Sequence, residues 1–267
     1  MPALEVLTLS LAVRMGATAL FVLAMSWLVV RARPGLAAAA ISMPVVIGPG
    51  FFVMALERDP AFVMRAAEDA LGALAGTVAF AAAAALLAGR LSRPVLLCAA
   101  LLGWAACVSA ASLATGLAGN VLAFGLAYAA GMAVLRARPA QPSSRRRAWS
   151  PRAEGMRAVS AGALVGVVTL AAGGLGPTLS GTLIALPVGL LFVAAGVLRL
   201  ADADTARAVM SAGARGAVAL ALFLLALRLL LGVGVPPVEA VLAATLASVG
   251  MALLLGFVLR AGRTARR

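Results

Sequence analysis

The sequence predicts an all-α integral membrane protein of about nine transmembrane helices. They form two inverted-topology four-helix repeats joined by a connector helix. Three observations carry this. Hydrophobic residues fill 64% of 267 positions and the mean hydropathy is +1.09, more than the surface of a water-soluble domain tolerates. The apolar runs are long enough for repeated crossings at roughly 20 residues each. And the stretch 34–50, PGLAAAAISMPVVIGPG, has a second copy at 177–193, PTLSGTLIALPVGLLFV, with a proline interrupting each run near its middle.

Span 1 is expected over 8–30. Residues 1–13 carry Glu5 and no basic residue, while Arg31 and Arg33 follow the apolar run. A secretory signal has its charge in front, so this run is expected to remain as a span with the N-terminus outside. Span 2, 35–56, holds Pro44 and the Gly48-Pro49-Gly50 cluster. Span 3 is expected at 66–89, after the polar loop Glu57-Arg58-Asp59-Pro60. The uncharged run from Val95 to Leu135 would extend roughly 60 Å as one helix, about twice a bilayer core. It is therefore divided into span 4 (94–113) and span 5 (118–135), with the turn expected at Thr115-Gly116 and Gly119-Asn120. Spans 6 to 9 follow at 158–174, 178–198, 207–231 and 238–260. The units are thus 1–113, a connector at 114–135, a basic cytoplasmic linker at 136–157, and 158–267, which includes a basic tail.

Charge sets the orientation. The formal net charge is +13, and all 22 basic residues are arginine. They stand at the ends of apolar runs, which marks topology rather than a nucleic-acid face, so the bilayer is the expected partner and nucleic acid is not. With the N-terminus outside, 17 of the 22 arginines fall on the inner side. The exceptions are Arg14, Arg58, Arg65, Arg215 and Arg228. This predicts a multi-pass protein of the cell inner membrane with a cytoplasmic C-terminus.

The duplication runs at a constant offset of 143 residues: Pro44 matches Pro187, Asp59 matches Asp202, Phe80 matches Phe223 and Pro94 matches Pro237. Span 5 has no partner. An odd number of crossings then separates the units, so they insert in opposite senses. Repeats of this kind place a working site near the midplane, at broken helices in equivalent positions.

A proline in a span removes an N–H and frees the carbonyl four residues earlier. The carbonyls concerned are those of Ala40, Val45 and Leu183. In hydrocarbon each must face protein or a water-filled cavity. The candidate substrate-binding set is therefore Ser42, Pro44, Gly48, Pro49, Thr182, Pro187, Gly189 and Arg215. A kink with close glycine packing accounts for the same prolines and glycines, and both readings stand at this point. Arg215 and Arg228 lie about 20 Å apart along one helix, so at least one falls within the apolar slab. Either they snorkel, with Arg228 paired to Glu239, or Arg215 lines a cavity as a contact for a small anionic solute. Glu68 and Asp69 read as solvated charges near the start of span 3.

Catalysis is not expected. The chain has no histidine, and Cys98 and Cys107 lie on opposite faces of one helix. No nucleophile–base pair, metal-ligand set or phosphate loop is present, so no enzyme activity and no cofactor are expected.

Each half resembles the small four-helix inner-membrane proteins of the GlpM type. The residues that carry this are GPTLSGTLIALPVG (176–189), TARAVMSAGARG (205–216), PPVEAVLAATLASVG (236–250) and, in the first half, RPGLAAAAISMPVV (33–46). The resemblance implies a membrane location and a role near envelope polysaccharide production. The expected function is a small inverted-repeat permease with a midplane site at spans 2 and 7. The alternative is a non-transporting accessory protein that supports envelope polysaccharide or lipid synthesis.

Overall fold

The computed structural model describes part of 11–27 and all of 47–137, 150–173, 175–200 and 202–264. Every regular element among the described residues is a helix. Helical backbone within 11–27 is followed by α1 (Ile47–Glu57), α2 (Pro60–Leu87), α3 (Arg93–Ala111) and α4 (Gly116–Arg136). Then come α5 (Pro151–Gly173), α6 (Pro177–Ile184), α7 (Val188–Leu200), α8 (Ala203–Gly232) and α9 (Pro237–Thr264). Among the described residues, six segments are long and apolar enough to cross a membrane: α2, α3, α4, α8, α9, and α6 with α7 taken together. The chain is a multi-pass helical membrane protein.

Besides α5, which begins at Pro151 within the expected linker 136–157 rather than near 158, two places differ from expectation. The turn between spans 4 and 5 falls at Ser112–Thr115, with Gly116 at φ +69°, a conformation that suits glycine; this agrees with the expected Thr115-Gly116 turn and not with one at Gly119-Asn120. Asn120 is instead inside α4 and buried. Its side-chain oxygen rests directly on Gly72 of α2, where any Cβ would collide with it. Packing against a glycine, not turn chemistry, explains this asparagine. The second difference is at α2, which begins at Pro60 rather than near 66. Asp59 caps it by accepting a 2.9 Å hydrogen bond from the Phe62 N–H, and Pro60 occupies the first turn, where its missing N–H costs nothing. Arg65, Glu68 and Asp69 are therefore well inside a helix.

Asp202 repeats that cap on α8, accepting from the Thr205 N–H at 2.8 Å. Pro94 and Pro237 both stand in the first turn of their helices. Replacing Asp59 by alanine is expected to lower stability by about 1 kcal/mol, read as a fall in the melting temperature of detergent-purified protein. A melting curve unchanged from the parent would count against the cap.

α2 and α8 form the centre. Buried side chains make two clusters along them. The first joins Phe51, Met54, Val63, Ala67 and Leu71 to Phe223, Leu224, Leu227 and Leu231. The second joins Phe80, Ala81, Ala84 and Ala88 to Ala194, Val197, Ala206, Met210 and Ala214. The early half of α2 thus lies beside the late half of α8, and the late half of α2 beside the early half of α8, so the two helices run antiparallel. The 143-residue offset converts each residue named in the first cluster into one named in the second. α4 runs parallel to α2: Phe124 joins the first cluster, while Met132 and Leu135 join the second. The N-terminal segment packs on α5, where Val22 meets Ala158 and Ala161.

Candidate functional site

Span 7 is broken in place. Its first part, α6, ends at Ile184, and α7 starts at Val188. Between them Pro187 cannot donate, and the chain tightens rather than continuing as an α-helix. The Leu186 N–H reaches back to the Leu183 carbonyl at 3.1 Å, and the Val188 N–H to the Leu186 carbonyl at 2.7 Å. The Leu183 carbonyl, expected to need outside company, is therefore satisfied within the turn. The carbonyl that draws a partner from elsewhere in the bundle is that of Ala185. It accepts a buried 3.2 Å hydrogen bond from the Thr77 hydroxyl of α2. Thr77 was not recognisable as a site residue, because a lone threonine in an alanine-rich helix gives no signal in sequence.

The break is held close to α2. Gly181 lets α6 rest on the Ala66 carbonyl, leaving no room for a Cβ. It also meets α1, which covers the described part of the expected span 2: a Cβ at Gly50 would lie 3.4 Å from Ile184 Cγ2 of α6. Around this contact Gly48, Pro187 and Gly189 are buried, and Pro49 and Thr182 are half-buried. Ser42, Pro44 and the Ala40 and Val45 carbonyls lie outside the described residues.

Arg215 is half-buried on α8. The 143-residue offset carries it to Gly72, which faces α4 through Asn120. Arg215 thus stands on a different helix from the α1–α6 contact, where the other described members of the expected set lie.

The charges differ most from expectation. Arg228 does not pair with Glu239. Its Nε donates to Glu68 Oε1 at 2.7 Å, linking α8 to α2. Glu68 and Asp69 are not solvated helix-start charges; both are half-buried, and Asp69 Oδ2 is enclosed with no hydrogen-bond partner. The reason is the earlier start of α2. Roughly 20 residues of this helix fill the ~30 Å apolar core, and Glu68, ninth in a helix of 28 residues, falls within that part.

A second ionic group stands at the opposite end of the bundle. Glu154 of α5 is fully buried and paired with Arg157 and with Arg199 of α7, the latter at 2.5 Å. Arg207 of α8 pairs with Asp204 at 2.5 Å and donates to the Ala88 carbonyl at the end of α2 at 3.1 Å. The late end of α2, the late end of α7 and the early end of α8 therefore share one arginine-rich face, with Arg90 and Arg93 beside them in sequence.

No family model, curated protein or solved structure matches the chain.

Proposed function

We propose that the protein is a small permease of the cell inner membrane in which two inverted four-helix units open alternately. The single observation that carries this is the preserved break in span 7. An unwound turn at Ala185–Pro187, bonded to Thr77 of the opposite unit, sits in the bundle interior rather than in a surface loop. Backbone that leaves the helix at membrane depth marks the sites of transporters with internal repeats. The offset between the two hydrophobic clusters and the antiparallel run of α2 and α8 support the inversion. The reading comprises nine spans, an N-terminus outside and a cytoplasmic C-terminus, with Arg90, Arg199 and Arg207 on the inner face. The cargo is a small solute, and Arg215 favours an anionic one. The resemblance of each half to GlpM-type proteins belongs to the same proposal.

The test needs no knowledge of the solute. Thr182→Cys is placed in a chain lacking Cys98 and Cys107, and an impermeant maleimide is applied from either side of oriented vesicles. A permease exposes this position to both sides in turn. Adding Pro187→Ala restores a helix donor and straightens the span, so reactivity from one side is expected to fall by roughly tenfold. Thr182→Cys that reacts from neither side would instead favour the accessory-protein reading. The broad apolar faces of α3 and α4, with Leu102 at 70% and Leu122 at 62% exposure, would suit the contacts such a protein makes.

A further inference from the structure

We propose that the Glu68–Arg228 ion pair is an outer latch, which must open before the bundle opens on the side away from the arginine-rich face. This rests on the permease reading and adds the element that governs one of its two openings.

The pair joins the two units directly, since Glu68 belongs to α2 and Arg228 to α8. Its side chains are only 16% and 23% exposed. It also has no counterpart. The offset carries Glu68 to Ser211 and Arg228 back to Ala85, so the equivalent place on the inner half of the α2–α8 contact holds no charge. The packing is unequal in the same sense. The outer cluster holds Phe51, Leu224, Leu227 and Leu231, and at their equivalents the inner cluster holds Ala194, Ala81, Ala84 and Ala88. Phe51 and Phe223 meet edge to face in the outer cluster at 5.9 Å. The described state is therefore sealed more heavily on the outside, where an ion pair joins the units, while on the inner half Arg207 of α8 donates to the Ala88 carbonyl of α2.

An ion pair suits a latch where a wholly apolar seal does not. In the closed state each charge satisfies the other in a poorly hydrated place. Separating them in hydrocarbon would leave two bare charges at high cost. Separating them into a cleft that admits water returns most of that cost as hydration, because burying a pair and solvating its members nearly balance. The pair thus permits an open state only when water enters with it, which couples the outer opening to the wetting of the path toward Thr182 and Pro187.

The experiment uses the full chain in right-side-out vesicles, with Thr182→Cys as reporter in the background lacking Cys98 and Cys107. An impermeant maleimide is added outside, and the initial labelling rate is read. Glu68→Gln and Arg228→Gln are each expected to raise that rate by about tenfold or more. The double exchange Glu68→Arg with Arg228→Glu is expected to bring it back toward the parent rate. Single variants that label no faster, while still eluting and melting as folded protein, would overturn the latch. So would faster labelling that the double exchange fails to reverse, since loss of packing rather than of charge would then be responsible. The permease reading fails separately: if the outer rates behave as expected but Thr182→Cys never reacts from the inside, the latch stands and the two-sided path does not.

Discussion

Glu154→Ala is expected to be among the most destabilising single substitutions in the chain, at about 3 kcal/mol. The Glu154 side chain has no exposure, and the Arg157 side chain beside it retains 10%. Removing the carboxylate takes from the buried Arg157 the charge it pairs with, and it also releases Arg199, which ties α7 to α5. The value stands at the lower end for a broken buried pair because Arg199, at 36% exposure, can turn to solvent. Glu154→Gln keeps the volume and loses the charge, so it should recover little of the loss. The check is thermal unfolding of the detergent-purified variants alongside the parent. A Glu154→Ala protein that melts with the parent would show that the two arginines find other partners at no cost.

Gly181→Val is expected to cost about 3 kcal/mol or more and to detach α6 from α2. A Cβ at Gly181 would collide with the Ala66 carbonyl, which is backbone within a helix and cannot rotate away. Relief requires moving α6 as a body, which would break the Thr77–Ala185 hydrogen bond and the contact with Gly50. Limited proteolysis near 174–187 should then cut the variant faster than the parent, with a lower melting temperature. Gly125→Ala is the control. Nothing lies within 4 Å of a Cβ there, and replacing a mid-helix glycine should raise stability by up to about 1 kcal/mol. Equal behaviour of the two variants would mean that the α6–α2 contact is not as close as described.

The sequence by itself determined the membrane class, the approximate positions of the apolar helices among the described residues and the pairs of matching positions 143 residues apart. These are legible because they depend on composition and on one-dimensional spacing: a span needs a sufficient apolar run, and a proline disrupts a helix wherever it falls in one. Asp59 with Asp202 and Pro94 with Pro237 could be matched for the same reason, since caps and first turns are local chemistry. What only the tertiary structure decided is which polar groups meet. Arg228 and Glu68 are 160 positions apart in the chain, and nothing at either end indicates the other. Glu239 was the nearer candidate in sequence, but it stands exposed at the start of α9. The Leu183 carbonyl was a correct inference of a freed acceptor from Pro187, yet the chain satisfied it by tightening one turn, and the need passed to Ala185 and so to Thr77. Asn120 looked like a turn because asparagine beside glycine makes turns in water. Within the bundle the missing side chain of Gly72 gave its amide a place, and the helix continued. In each case the sequence states that a polar group must be satisfied, and only the packing of helices far apart in the chain selects its partner.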